Sequence, residues 1–276
     1  MKKIQVMVNG LPGKMATMVV EALAQDNKYL LVPFSFTGPE ISQDNVVVHE
    51  LRKIIDLITP DKRLSRLDEI KRNWPGVIII DFTLPDATNE NCAFYCENGL
   101  PFVMGTTGGD RNLLTETVKD SAISAVISPN MSIPIVALMA MIDRGTDFPN
   151  ALNGFELMII ESHQSPKVDK SGTAKAIGGK LQVLGADYKG EEDILAVRDP
   201  KQQRFMGVPE EALGGHGWHS YALMSPDRSV FLKIEHNING RQTYVEGTLK
   251  AIDFLAKQID EGVRGKCFSM IDVIQG

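Results

Sequence analysis

The segment Gly10-Leu11-Pro12-Gly13-Lys14-Met15-Ala16 decides the fold, because it follows an apolar run at 4–8 and opens a helix-like stretch at 14–25. A strand, a turn of small residues and a helix, in this order, are typical of a dinucleotide-binding β-α-β unit. Small residues let the backbone approach a pyrophosphate, and the helix N-terminus adds N–H groups and positive potential. A tight turn without a nucleotide is the alternative. We predict cofactor contacts at Gly10, Gly13, Lys14 and Met15.

The first half of the chain repeats this alternation of apolar runs and helix-like stretches. Such a rhythm predicts an α/β fold with an N-terminal, Rossmann-like, doubly wound parallel sheet. The predicted strands are 4–8, 29–36, 77–81, 101–104 and 125–127, with a further one at 46–49. The predicted helices are 14–25, 66–73, 86–97 and 111–120.

After Pro134 the rhythm changes and predicts a C-terminal α+β sheet domain. We expect a strand at 155–160, a helix at 174–184, a poorly periodic stretch at 185–217, and a hairpin of 218–224 and 229–236. A last helix at 244–259 is expected to return to the first domain. The predicted division is therefore a dinucleotide-binding domain at 1–130, completed by 241–276, and a substrate-binding and oligomerisation domain at 131–240.

Composition excludes several classes of partner. The 276 residues are 43% hydrophobic with a net charge of −6 and no block of Lys or Arg, which argues against nucleic acid. The uncharged stretch 121–142 is interrupted by two prolines, so no membrane span is expected. Three unevenly placed cysteines and the absence of a leader pattern favour a reducing, cytoplasmic location.

The end of the second predicted strand bears on the choice of cofactor. A dinucleotide fold that binds NAD holds the adenosine ribose with a carboxylate at this point. The sequence instead has Ser35-Phe36-Thr37-Gly38. Ser35, Thr37 and Lys14 could then donate to a 2′-phosphate, so NADPH is favoured over NADH.

Three later strand ends fall on the same predicted edge of the sheet, where parallel sheets bind their ligands. Each could also be no more than a strand-ending turn. They predict contacts to the nicotinamide half from Asp81, Phe82, Gly105, Thr106, Thr107, Pro129, Asn130 and Met131.

The stretch from Glu161 to Thr173, ESHQSPKVDKSGT, carries the chemistry. It is predicted as a loop between a buried strand and a helix. Histidine is the residue type most used for proton transfer at neutral pH, so His163 is a candidate proton donor, and Lys167 can neutralise a carboxylate. Ser171, Thr173 and the amides of the helix start can bind an anion. A purely structural role for His163 is the alternative.

Together, the segments at 10–16, 105–108, 128–131 and 161–173 resemble the 4-hydroxy-tetrahydrodipicolinate (dihydrodipicolinate) reductases of lysine and diaminopimelate biosynthesis, in their plant-type branch. The resemblance spans nearly the whole chain. It implies reduction of a cyclic dicarboxylate with NADPH or NADH and assembly as a homotetramer.

The resemblance also implies roles for individual residues. His163 matches the family's proton donor, Lys167 its catalytic lysine, and Gly172 and Thr173 its carboxylate-binding turn. Gln164 departs from the common bacterial pattern, which has a second histidine here. Glutamine can bind a carboxylate but carries no proton at neutral pH, which puts a two-histidine mechanism in doubt.

Several alternatives remain open at this point. A metal site at His216 and His219 lacks partner ligands with suitable spacing, so no metal is expected, and either histidine could instead border the substrate pocket. A dehydrogenase acting on an aspartate-derived aldehyde would need a loop cysteine as nucleophile. A catalytically silent nucleotide sensor is a third possibility, motivated by Gln164.

Overall fold

The computed structural model describes residues 3–48 and 52–276. The chain divides into two compact units. Unit 1 covers 1–133 and 244–276, and unit 2 covers 134–243. The chain thus leaves unit 1 once and returns to it, a few residues beyond the predicted boundaries at 130 and 240. No described helix is both long and apolar enough to cross a membrane.

Unit 1 contains a six-stranded sheet in which every described pairing is parallel, which confirms the predicted fold class. Its order is β13-β8-β7-β6-β1-β2. The strands are β1 (Ile4–Asn9), β2 (Tyr29–Leu31), β6 (Ile78–Asp81), β7 (Phe102–Met104), β8 (Ala125–Ile127) and β13 (Cys267–Phe268). A smaller sheet has the order β3-β5-β4, with β3 (Phe34–Phe36), β4 (Asn45–Val48) and β5 (Lys53–Ile58).

The helices of unit 1 bury apolar residues against its sheets, around a core that includes Met7, Phe36, Ile79 and Phe102. They are α1 (Lys14–Gln25), α2 (Arg63–Asn73), α3 (Thr88–Glu97), α4 (Arg111–Lys119), α8 (Gln242–Asp260) and α9 (Met270–Gln275). Unit 2 contains α6 (Gly172–Val183), α7 (Pro200–Phe205) and, except for its first residue, α5 (Ile133–Arg144).

The strand predicted at 29–36 is two strands in two different sheets. The Val32 amide still donates to Val6 of β1, whereas the Pro33 carbonyl accepts from Asp56 of β5. Proline has no N–H to continue the first ladder, so the chain changes partner there. The new partner β5 was missed from sequence. The strand predicted at 46–49 is β4, while His49 lies outside the described residues.

Unit 2 is built on a four-stranded sheet of order β10-β9-β11-β12. Its strands are β9 (Glu156–His163), β10 (Ile194–Val197), β11 (His216–Met224) and β12 (Phe231–Asn239). The antiparallel pairing of β11 with β12 confirms the predicted hairpin. The stretch predicted as irregular contains β10 and α7, which are four and six residues long and too short to show a periodic pattern.

One face of this sheet packs against α6 and forms the core of unit 2. Leu157 and Ile159 of β9 meet Ala174, Ile177 and Leu181 of α6 in one buried cluster. Side chains two residues apart along a strand share a face. Glu161 and His163 therefore project on the same side as Leu157 and Ile159, at the carboxyl end of β9.

Candidate active site

His163 ends strand β9 and does not lie on a loop as predicted, so a sheet fixes its backbone. Its Nδ1 contacts the Glu161 carboxylate two residues earlier, and its side chain keeps 15% of its surface exposed. A methyl group built on Gly217 of the neighbouring strand would lie 3.3 Å from Nε2. Among the described residues Nε2 makes no hydrogen bond of its own, which leaves this nitrogen available to a ligand.

Glu161 orients His163, and Arg198 in turn holds Glu161. Arg198 Nη2 donates to Glu161 Oε1 at 2.7 Å, and Nη1 donates to Oε2 at 3.1 Å. Glu161 is fully buried. Burial alone would raise the pKa of its carboxyl, but the hydrogen bonds from His163 and Arg198 outweigh burial and hold that pKa at about 2. The carboxylate is therefore charged at neutral pH and accepts a hydrogen bond from Nδ1.

The same guanidinium holds the segment that follows β9. Arg198 Nε donates to the carbonyl of Lys167 at 2.8 Å, and Nη2 donates to the carbonyl of Asp169 at 3.0 Å. Arg198 was not among the residues predicted for the site. The parallel pairing of β10 with β9 brings Val197 beside Ser162 and so delivers Arg198 to the end of β9.

Lys167 lies on this clamped loop, where its amide donates to the carbonyl of Gln164 at 3.0 Å. Its ammonium group pairs with Asp169 at 2.7 Å. The Asp169 side chain is 73% exposed, so solvent screens this pair, and an anionic ligand can compete for the ammonium. Gln164 is half-buried beside it.

The helix start predicted to bind an anion is present, but Ser171 has a different role from the predicted one. Its hydroxyl caps α6 by accepting from the Ala174 amide at 3.4 Å, and it lies 2.9 Å from His219 Nε2. Ser171 is 5% exposed, so its side chain is a poor candidate for direct substrate contact. Gly172 is exposed and Thr173 half-buried at the first turn of the helix.

A row of histidine rings runs from His163 across the neighbouring strands β11 and β12 of the same sheet. The ring centroids of His163 and His219 are 5.1 Å apart, and those of His219 and His236 are 4.5 Å apart. Burial, followed by the charges of His236 and His163, lowers the pKa of His219 to about 2. Burial and His163 lower the pKa of His236 to about 4. Both imidazoles are therefore neutral at pH 7.

The other histidine considered from sequence, His216, is structural. Its Nε2 lies 2.8 Å from the Ser162 hydroxyl and its Nδ1 3.1 Å from the carbonyl of Ala212. Burial, the largest effect, lowers the pKa of His216. Both ring nitrogens are satisfied inside the protein, which leaves neither to meet a ligand.

Glu161, His163 and His219 also offer three ligand atoms that lie within 4.8 Å of one another. Such a set suits a metal ion by residue type. Both oxygens of Glu161, however, already receive hydrogen bonds from Arg198, whose positive charge opposes a cation at the same place. The chemistry of the three side chains therefore favours proton transfer over metal binding.

In unit 1 the turn after β1 forms the cradle that a dinucleotide requires. Gly10 has a φ of +97°, and a Cβ there would lie 2.2 Å from the Phe82 carbonyl oxygen. A Cβ on Gly13 would lie 2.7 Å from the Gly10 carbonyl oxygen. Only glycine allows this close approach, and the space beside it is a cavity of about 400 Å³. It is lined by Gly10, Leu11, Pro12, Gly13, Thr37, Gly38, Pro39, Glu40, Ile41, Phe82, Thr83, Leu84 and Ala87.

The predicted cofactor residues divide into three groups. Gly10, Gly13, Thr37 and Phe82 line the cavity. Another group, at least partly exposed, lies outside its lining: Lys14, Met15, Gly105, Thr107, Pro129 and Asn130. The third group is buried, at no more than 5% exposure, so side-chain contact with a cofactor is not supported there: Ser35, Asp81, Thr106 and Met131.

Asp81 was predicted to contact the cofactor because it is a polar residue at the end of a strand, but its side chain has another role. Its carboxylate is fully buried and accepts hydrogen bonds from the Thr83 hydroxyl at 2.8 Å, Thr106 at 2.6 Å, Asn91 at 3.0 Å and Tyr95 at 2.7 Å. These donors come from the loop after β6, from α3 and from the loop after β7. The side chain thus joins the elements that surround the cavity instead of contacting what fills it.

Comparison with known proteins gives matches along the chain. The family model described as dihydrodipicolinate reductase, N-terminus, matches residues 4–131, and the model of the C-terminus matches 135–274. A probable 4-hydroxy-tetrahydrodipicolinate reductase 1, chloroplastic, of Oryza sativa subsp. japonica is 43% identical over 98% of this chain and 78% of its own length. The reductase 1, chloroplastic, of Arabidopsis thaliana is 43% identical over 99% of this chain and 78% of its own length.

Solved structures share the fold. The dipicolinate-bound dihydrodipicolinate reductase from Paenisporosarcina sp. TG-14 covers 97% of this chain and 98% of its own, with a TM-score of 0.64 and 18% sequence identity. A myo-inositol-1-phosphate synthase-related protein from Thermotoga maritima has a TM-score of 0.57 at 11% identity. At these identities the likeness extends to the fold alone.

Proposed function

The chain belongs to the dihydrodipicolinate reductase family, and we propose that it reduces 4-hydroxy-tetrahydrodipicolinate to tetrahydrodipicolinate with NADPH or NADH, in the diaminopimelate route to lysine. The observation that carries this proposal is the His163–Glu161–Arg198 arrangement, which orients one partly exposed imidazole and holds the loop of Lys167 in place. Its relatives carry this activity in their names. The glycine cradle of unit 1 supports a dinucleotide.

The chemistry follows from what each side chain can do. A reduced nicotinamide held by unit 1 supplies a hydride when bound. Loss of the substrate's 4-hydroxyl group as water gives a C=C conjugated to an imine. Its reduction then takes the hydride on one carbon and a proton on the neighbouring carbon, and His163 can deliver that proton from Nε2. Glu161 holds Nδ1 and stabilises the charged ring, as a buried carboxylate does beside a catalytic histidine. Gln164 stands where the common bacterial form has a second histidine and carries no proton at neutral pH, so His163 is the histidine of this loop that can donate one.

Binding of the dicarboxylate falls to the loop and the helix start. Lys167 can exchange its exposed partner Asp169 for a substrate carboxylate. The first amides of α6, at Gly172 and Thr173, can hold the second one, because a helix N-terminus favours negative charge. Ser171 and His219 act on this site indirectly by fixing the first turn of α6.

The alternatives from sequence receive less support. A phosphorylating aldehyde dehydrogenase needs a reactive cysteine, but Cys92 is buried in unit 1 and Cys96 and Cys267 pack against the same core. A silent sensor would not need an oriented imidazole with one free nitrogen. The net charge of −6 favours a small molecule over nucleic acid as partner.

We also propose a homotetramer in the cytoplasm. Met158, Leu195 and Phe231 are each more than half exposed on the sheet of unit 2. Exposed apolar residues on one sheet suit contact with further copies. Sedimentation equilibrium of the purified chain measures the number of copies. The free thiols suit a reducing compartment, although the plant relatives are named as chloroplastic.

The experiment that tests the activity compares two neighbouring lysines. With substrate generated by the preceding synthase, the purified chain should oxidise NADPH or NADH. Lys167→Ala should lower kcat/KM by about a hundredfold, the loss typical of one charge-stabilising group. Lys170→Ala is the matched control, because the Lys170 ammonium binds the Glu191 backbone instead. Unchanged kcat/KM in Lys167→Ala, with a normal circular dichroism spectrum, contradicts the proposal.

A further inference from the structure

One residue that lines the cavity beside the glycine turn is charged, although the sequence at the end of the second strand contains no carboxylate. Of the thirteen described residues that line it, Glu40 is the only charged one. The Gly38 carbonyl accepts from the Ile41 amide at 3.3 Å, so the chain turns at 38–41. This turn folds Glu40 back over Gly38, where a Cβ would lie 2.3 Å from Glu40 Oε2. A carboxylate thus rests against the residue that follows Thr37.

The groups predicted to receive a 2′-phosphate are not available to one. Ser35 is fully buried, and its hydroxyl accepts from the Leu11 amide at 3.4 Å. Thr37 is 2% exposed, and its hydroxyl donates to the Leu11 carbonyl at 2.7 Å. Both side chains therefore hold the glycine turn against the strand end, and Lys14 does not line the cavity.

A buried cation lies beside the end of this strand, where Arg63 Nη2 donates to the Thr37 carbonyl at 3.5 Å. Arg63 is 7% exposed, donates to Asn91 at 2.8 Å, and lies over the rings of Phe36 and Phe94. It is not among the residues that line the cavity. A doubly charged phosphate placed here would therefore meet one carboxylate and no lining cation.

We propose that Glu40 is the residue that selects NADH over NADPH, by accepting hydrogen bonds from the free ribose hydroxyls and repelling a 2′-phosphate. In dinucleotide folds a carboxylate near the end of the second strand performs this role. Here a loop supplies it, three residues after Thr37, which reverses the preference for NADPH drawn from the strand end alone. This assignment rests on the proposed use of a reduced nicotinamide dinucleotide.

Binding measurements without substrate test the assignment. Isothermal titration of the purified chain should give a Kd for NADH at least about tenfold lower than for NADPH, the ratio that one charged hydrogen bond produces. Glu40→Gln should bring the two Kd values together within about threefold. Glu21→Gln, an exposed glutamate of α1 outside the cavity lining, is the matched control and should keep the native ratio.

Competition by adenosine nucleotides tests the adenosine half of the dinucleotide site separately. Adenosine 5′-monophosphate should displace bound NADH more effectively than adenosine 2′,5′-bisphosphate, and Glu40→Gln should remove the difference. Tighter binding of NADPH by the native chain, or a Kd ratio unchanged in Glu40→Gln, overturns the assignment and leaves the proposed reductase intact. Failure of both dinucleotides to bind overturns the proposed function as well.

Discussion

Two buried carboxylates, Asp81 in unit 1 and Glu161 in unit 2, are both fully excluded from solvent but have opposite kinds of partner. Neutral hydroxyl and amide groups surround Asp81. A guanidinium and an imidazole hold Glu161. Neutral donors fix positions without supplying a mobile proton, whereas a histidine partner can exchange one. The Asp81 carboxylate therefore stabilises the fold, whereas the Glu161 carboxylate can assist proton transfer.

Removing Asp81 should have the largest effect on stability. Asp81→Ala removes the acceptor of the Tyr95 hydroxyl and one of the two acceptors of Thr106 and of Asn91, and should lower the free energy of unfolding by about 4 kcal/mol. Urea unfolding followed by circular dichroism measures this loss. Asp81→Asn, which keeps the shape and one acceptor oxygen, should lose less. A loss below about 1 kcal/mol in the alanine variant would show that water replaces the network.

Glu161→Gln should affect catalysis more than folding. The variant keeps the volume but removes the charge that orients His163, so kcat/KM should fall about a hundredfold or more while the Kd for the dinucleotide stays unchanged. The pH profile of kcat should also shift, which a purely structural role would not cause.

The control for Glu161→Gln is Glu210→Gln. Glu210 has the same two-pronged pairing, with Arg204 at 2.6 and 2.7 Å, but its side chain is 69% exposed. Solvent screens such a pair, so this variant should keep both its urea midpoint and its activity. Equal activity losses in the two glutamine variants would refute a positioning role for Glu161.

The buried histidines of unit 2 predict a smaller, graded effect of pH. The folded-state pKa of His219, about 2, lies below its unfolded value near 6.5. The unfolded chain therefore binds the proton first, and stability falls as pH decreases below 6.5 by about 1.4 kcal/mol per pH unit. His219→Asn should reduce by one the number of protons that the chain takes up on unfolding, and the slope should become smaller accordingly.

Urea unfolding at pH 7.5 and 5.5 provides the measurement. The Glu161 pair keeps its contribution throughout that range, since its stabilisation is lost only as pH falls from about 4.5 towards the folded pKa of about 2. His236 contributes in the same direction, because its folded pKa is about 4. A slope identical in the native chain and in His219→Asn would contradict neutral burial of this ring.

The parts of the fold that sequence predicted are those with strong local patterns. The glycine turn, the apolar strands and the helix at 14–25 each carry a signal within one short window. The change of partner at Pro33 and the existence of β5 depend on distant residues, such as the pairing of Asp56 with Pro33. A short stretch of sequence does not reveal such a long-range pairing.

The residues of the candidate site also fall into those that a local sequence pattern indicates and those that only the fold brings there. His163 and Lys167 belong to one recognisable segment, so their place near the end of β9 could be foreseen. Arg198 lies more than thirty residues later in a stretch without periodicity, and only the β10–β9 register brings it there. Glu40 was missed because the expected carboxylate was sought on the strand end and not on a turn that folds back.

The return of the chain to unit 1 has a consequence for biogenesis. Strand β8 has β7 on one side, and its other neighbour, β13, contains Cys267 and Phe268 near the end of the chain. During synthesis, all of unit 2 must emerge before β13 can cover that border. Until then, the nascent polypeptide presents an uncovered strand to other chains, which is the hazard that chaperones relieve.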